Sequence, residues 1–104
     1  MIIATVNEIP ERTHEVLGMV KGSVVQSKHI GRDFAASIKT IFGGEIKGYT
    51  EMLIEAREIA TERMINEARK LRADAILAVR YESASIMQNS AEVLAYGTAV
   101  KFKS

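Results

Sequence analysis

Two periods of hydrophobic repetition divide the chain. Over "THEVLGMVKGSVVQSKH", Thr13 to His29, Val16, Val20 and Val24 share one parity and Leu17, Met19 and Val25 the other. Apolar residues on both parities predict a strand covered on both faces for part of its length. Gly18 and Gly22 fall on the valine parity. Glycine within a strand marks a bend, a bulge or a close backbone approach. The pair therefore predicts a strongly curved strand, or a helix pressed against it. The period then changes. Ile30, Phe34, Ile38 and Ile41 or Phe42 recur at steps of three and four, the mark of an amphipathic helix. Gly43-Gly44 stops it, because glycine tolerates the left-handed geometry of a helix end.

A long helix is predicted from Gly48 to Leu71. Its apolar stripe is Tyr49, Met52, Leu53, Ala56, Ile59, Ala60, Met64, Ala68 and Leu71. Glu51, Glu55, Glu58 and Glu62 load its first half, and Arg69, Lys70 and Arg72 its end, which complements the helix dipole. At the N-terminus, Ile2 to Val6 reads as a short strand, and Pro10 marks a loop. At the C-terminus, "AILAVRYESASIM" and "SAEVLAYGTAVKFK" read as a hairpin turning at Gln88-Asn89-Ser90. Leu77, Val79 and Tyr81 are expected on one face of the first arm. In the second arm Leu94, Tyr96, Thr98, Val100 and Phe102 alternate with smaller residues. The order is β-β-α-α-β-β. It predicts an α+β fold, a curved antiparallel sheet with one short and one long helix on one face.

Composition narrows the picture. The 104 residues make one domain, 1–104, large enough to bury a core without staples. No cysteine is present, which removes disulfides, thiol catalysis and cysteine zinc sites and fits a reducing compartment. The net charge is +1, with the signs mixed along the chain, and that argues against nucleic acid as partner. The N-terminus lacks the basic and apolar regions of a signal peptide. No stretch approaches the ~20 apolar residues of a membrane span. The expectation is a cytoplasmic protein without a membrane partner.

Candidate chemistry is sparse. His14 and His29 are the only histidines, at opposite ends of the long strand pattern, spanning roughly 50 Å if extended. Metal ligands prefer two-residue spacing on a strand and four-residue spacing on a helix. A site at His14 or His29 would therefore need carboxylates such as Glu11, Glu15 or Asp33, or copies of the same histidine in an oligomer; solvated histidines are the plainer reading. Such a mixed site would suit a divalent ion. Arg32-Asp33 opens the first helix pattern. It could grip an anion or another subunit, although Asp33 also favours a helix N-terminus electrostatically. Tyr49 and Arg57, two turns apart, could line a polar cleft; more often such residues cover a core edge and a surface. Gly43-Gly44-Glu45 lacks the Lys-Ser/Thr spacing of a phosphate loop and reads better as a helix–helix corner. No catalytic constellation stands out.

Several groups of residues are familiar together: Arg32-Asp33-Phe34 with Ile38 and Gly43-Gly44; Tyr49 with Ala56-Arg57-Glu58-Ile59-Ala60; "ARKLRADAI", Ala68 to Ile76; and "GTAV", Gly97 to Val100. With them the chain resembles, over almost its whole length, the YbjQ family of small bacterial and archaeal proteins. That family carries a heavy-metal-binding description and is otherwise uncharacterised. The resemblance implies an α+β subunit assembling into a ring, a homopentamer. It carries no metal ligand across to this chain. The chain departs from the family where glycine usually follows the leucine ending the long helix, since Arg72 stands there.

The expected function is that of an oligomeric binding or scaffold protein without catalysis. The alternative is a divalent metal binder with ligands, His14 and His29 among them, shared between subunits. A third reading is an enzyme for a small anion near Arg32, Tyr49 and Arg57. Self-association is expected independently of the resemblance, because "GSVVQS" and "VLAYGTAV" are low-charge strands whose edges need cover.

Overall fold

The computed structural model describes residues 1–27 and 47–103. Strand β1 is Ile2–Ile3, β2 is His14–Ser27, helix α1 is Lys47–Lys70, β3 is Ala75–Met87 and β4 is Ser90–Phe102. The short helix expected over 30–42 and its Gly43-Gly44 stop lie outside the described residues. The strands form one sheet in the order β1-β3-β4-β2. β3 and β4 make the expected hairpin around Gln88-Asn89, and Asn89 takes a left-handed φ of 61°, a conformation that asparagine tolerates. β2 pairs antiparallel with β4 along its whole length, from His14 opposite Phe102 to Ser27 opposite Ser90. The sheet is not wholly antiparallel as expected: β1 runs parallel to β3 at Ile2–Ala75 and Ile3–Ile76. All of β2 and α1 lie between those two strands in the chain, and so long a crossover permits parallel pairing where a tight hairpin cannot.

α1 packs on one face of the sheet. Met52, Ala56, Ala60, Met64 and Ala68 are buried at a spacing of four, one stripe along the helix. Ala56, Ala60, Met64 and Ala68 meet Val20 and Val24 of β2, Val79 of β3, and Val93, Ala95 and Ala99 of β4. The small residues bring the two backbones together. A Cβ on Gly22 would overlap the Ala60 carbonyl and the Met64 amide. The second possibility raised by the glycine pair, a helix pressed against the strand, is met at Gly22.

Gly18 does different work. The register of β2 against β4 slips between Val16 and Gly18, and Gly18 has φ 141°. This is a β-bulge, which inserts one extra residue and inverts the facing of everything before it. Val16 is therefore 63 % exposed, whereas Leu17 packs on the helix-side core. A second slip lies in β3 between Leu77 and Arg80, where Ala78 takes φ 53°. It corrects the expected facing: Val79 joins the helix-side core, but Leu77 turns to the other face. There Leu77, Ala75 and Val100 form a smaller cluster with Ala4, Ile9 and Phe102. The N-terminal segment covers that end of the sheet. Arg12 stacks 3.8 Å above the Phe102 ring, and Arg80 Nη1 donates to the Thr5 carbonyl at 3.2 Å.

The end of α1 answers the question raised by Arg72. The Arg72 amide donates to the Arg69 carbonyl (2.9 Å) and the Ala73 amide to that of Ala68 (3.1 Å). These bonds define a Schellman cap with Arg72 at its left-handed position, φ 60°. Lys101 Nζ donates to the Arg72 carbonyl at 3.1 Å and helps hold the turn.

Candidate functional site

The surface features follow from how α1 lies on the sheet. β4 is central, so β2 and β3 present outward edges. β1 pairs with β3 only at Ala75 and Ile76, and the chain after β1 continues the edge with Ala78 N–H to Val6 and Val79 N–H to Ala4. Beyond Val79, the outer edge of β3 has no strand beside it among the described residues. Every residue from Arg80 to Met87 is exposed.

Between α1 and this part of β3 lies a groove of about 510 Å³, lined by Ile54, Arg57, Glu58, Thr61, Glu62 and Tyr81. The Thr61 hydroxyl donates to the Arg57 carbonyl at 2.7 Å, one turn back. Having one proton, it accepts from the Tyr81 hydroxyl, also at 2.7 Å. The relay ties the hairpin to the helix and commits both hydroxyls to each other. On the opposite flank, α1 and β2 border an open trough with two hollows of about 370 and 310 Å³ that share Lys21, Glu67 and Lys70. Lys21, Arg63 and Lys70 give it positive charge, and Glu67 pairs with Lys70 at 3.0 Å. Arg63 Nη1 donates to the Ser23 carbonyl of β2 at 2.6 Å.

The sequence-predicted candidates do not converge. Arg57 is on the wall of the α1–β3 groove. Tyr49, half-buried at the start of α1, is not among that groove's lining residues. His29, Arg32 and Asp33 lie outside the described residues. His14 begins β2 opposite Phe102, and its Nδ1 is buried without a hydrogen-bond partner. Among the described residues no three of His, Asp and Glu stand close enough to hold a metal ion. The chain has no cysteine, and His14 is the one histidine among the described residues. Tyr81, Thr61 and Arg63 were not singled out from sequence. Each acts through a partner at least twenty residues away, and only the packing of helix on sheet brings the partners together.

The class these features define is a small α+β domain, with a sheet covered by one long helix and two outward edges among the described residues. The chain belongs to the YbjQ family: the family model described as "Putative heavy-metal-binding" matches residues 1–103. A UPF0145 protein of Thermotoga maritima is 62 % identical over 104 residues, covering 99 % of this chain and 98 % of that one. One from Helicobacter hepaticus is 60 % identical over the full length of both. The fold is similar to the crystal structure of a protein of unknown function of the DUF74 family from Pediococcus pentosaceus. That match has a TM-score of 0.66 at 16 % identity and covers 99 % of this chain and 98 % of that one. No helix of the described residues is long and apolar enough to cross a membrane.

Proposed function

We propose that the protein is a homo-oligomeric binding or scaffold protein whose subunits complete one another's sheet edges in a closed ring of five, and that it carries out no covalent chemistry. The observation that supports this most directly is the outer edge of β3. Eight consecutive residues, Arg80 to Met87, are exposed with no neighbouring strand among the described residues. Exposed edges of that length aggregate unless paired, covered or charged, and only Arg80 and Glu82 are charged. Shape supports the same reading. The Cα radius of gyration is 17.2 Å, with extents of 55 × 24 × 17 Å, against ~13 Å for a compact domain of about 100 residues. An elongated subunit with bare strands has more surface to bury against copies of itself. The near-balanced charge, +1, favours self as partner over nucleic acid or a membrane, in a cytoplasmic setting. Sedimentation velocity at micromolar concentration tests the reading. One species well above the monomer mass is expected, and a monomer alone would refute it.

A second reading, a divalent-metal protein with ligands shared between subunits, has the partnerless Nδ1 of His14 in its favour. Calorimetric titration with zinc, nickel and copper would give heat that His14→Ala and His29→Ala remove. Heat unchanged in both variants excludes those ligands.

A further inference from the structure

We infer that the trough between α1 and β2 binds a small organic phosphate, its phosphate held by Arg63, Asn66 and Lys70 and its apolar part laid against Met19 and Leu71. The inference rests on the binding reading above and names the class of ligand; it needs nothing of how copies of the chain meet. Three observations carry it. The first is placement. Arg63, Asn66 and Lys70 are exposed and follow one another at steps of three and four along α1. Residues so spaced are neighbours on one side of a helix. They form a row about 10 Å long at ~1.5 Å per residue, and all three line the hollow of about 370 Å³ beside β2.

The second observation is which hydrogen-bonding groups the row leaves over. Arg63 is fixed by one bond, from Nη1 to the Ser23 carbonyl. Its other N–H groups have no partner among the described residues and form the fork that suits an oxyanion. Asn66 Oδ1 accepts from Arg69 Nη1 at 3.1 Å. Arginine only donates, so the amide oxygen is turned to Arg69 and the NH₂ is left for an acceptor. Lys70 Nζ meets Glu67 at 3.0 Å and keeps further donors. The row therefore offers donors, while its one carboxylate is already engaged. With Lys21 on the bordering strand, the hollow has three cations to that one carboxylate. A phosphate monoester, close to doubly charged near neutral pH and rich in acceptors, matches this demand better than a carboxylate with its single charge. The third observation is the apolar end. The second hollow, about 310 Å³, continues past Lys70 to Met19 and Leu71, which are 69 % and 44 % exposed. Small-ligand sites combine apolar walls with a few polar groups that fix orientation. Inorganic phosphate would leave the apolar half uncovered.

Calorimetric titration of the full chain with phenyl phosphate at low ionic strength tests this, with inorganic phosphate and benzyl alcohol as the two halves of the probe. Phenyl phosphate should bind more tightly than either half, and less tightly as salt is added. Asn66→Asp keeps the acceptor for Arg69 but puts a carboxylate where the donor stood, and should weaken binding by about tenfold or more. Arg63→Lys keeps the charge, loses the fork and should also weaken it. Glu67→Gln removes the competing carboxylate and should tighten it. Met19→Ser should narrow the gap between phenyl phosphate and inorganic phosphate. All four side chains are exposed, so the variants should fold, which circular dichroism checks. No heat with phenyl phosphate at millimolar concentration overturns the assignment. So does heat that Asn66→Asp and Arg63→Lys leave unchanged, because the anion then binds elsewhere. Inorganic phosphate binding as tightly as phenyl phosphate overturns the apolar half. Native mass spectrometry of the same samples separates this from the oligomeric reading. An oligomer that gives no heat defeats the ligand assignment alone, and a monomer that binds phenyl phosphate defeats the ring alone.

Discussion

Two single residues show how much hangs on backbone room. At Gly22 a methyl group would collide with the backbone of α1 at Ala60 and Met64, which cannot move as a flexible side chain can. Gly22→Ala should therefore destabilise the fold by about 3 kcal/mol, the upper part of the usual overpacking range, read as a lower urea midpoint. A loss under about 0.5 kcal/mol, the scale of an ordinary surface substitution, would mean that the helix does not press on the strand. Arg72 is the opposite case. A left-handed conformation costs an L-residue roughly 1–2 kcal/mol, and glycine returns part of that gain as unfolded-state entropy. Arg72→Gly should raise stability by roughly 0.5–1 kcal/mol, checked by thermal or urea unfolding. Both residues were legible in the sequence, Gly22 as an out-of-place glycine and Arg72 as a family departure, because each acts through local backbone geometry. His14 was also visible. Its orphaned nitrogen was not, since that depends on how the start of β2 packs.

At the scale of elements, periodicity located α1 to within a residue at each end, 48–71 expected and 47–70 found. Its core is narrower than the apolar stripe. Met52, Ala56, Ala60, Met64 and Ala68 are buried, while Leu53 and Ile59 are partly covered and Leu71 is exposed. Met64 is the largest fully buried side chain of the helix. Met64→Ala should cost about 2–4 kcal/mol through lost burial and a cavity. A change below about 1 kcal/mol, the size of a volume-conserving core swap, would put the core elsewhere. The strands were found, but their facing was only partly legible. Alternation assumes an unbroken pleat, and three register slips break it, at Val16/Gly18, Leu77/Arg80 and Ser85/Met87. Gly18 gives a hint of the first, since glycine is common at bulges. Ala78 gives none, because nothing about alanine announces a φ of 53°. Leu77 and Val79 consequently serve two different clusters, one beneath α1 and one beneath the N-terminal segment. The parallel pairing of β1 was likewise hidden, since two residues of strand carry no orientation signal.

At the scale of the whole molecule, the α+β class and the hairpin could be read from the chain, while the site could not. The Tyr81–Thr61 and Arg63–Ser23 bonds are tertiary, joining residues twenty and forty positions apart. The polar features of the described residues lie on edges and flanks. Arg57 and the paired hydroxyls face an open groove, and the trough along β2 is charged but uncovered. On the proposed reading, surfaces that hold a ligand would be completed where copies of the chain meet. Native mass spectrometry of untagged protein, sprayed from a volatile buffer near neutral pH, puts this to the most direct test. A single closed species of five subunits is the expected result, and a spectrum of monomer alone at micromolar concentration would contradict it.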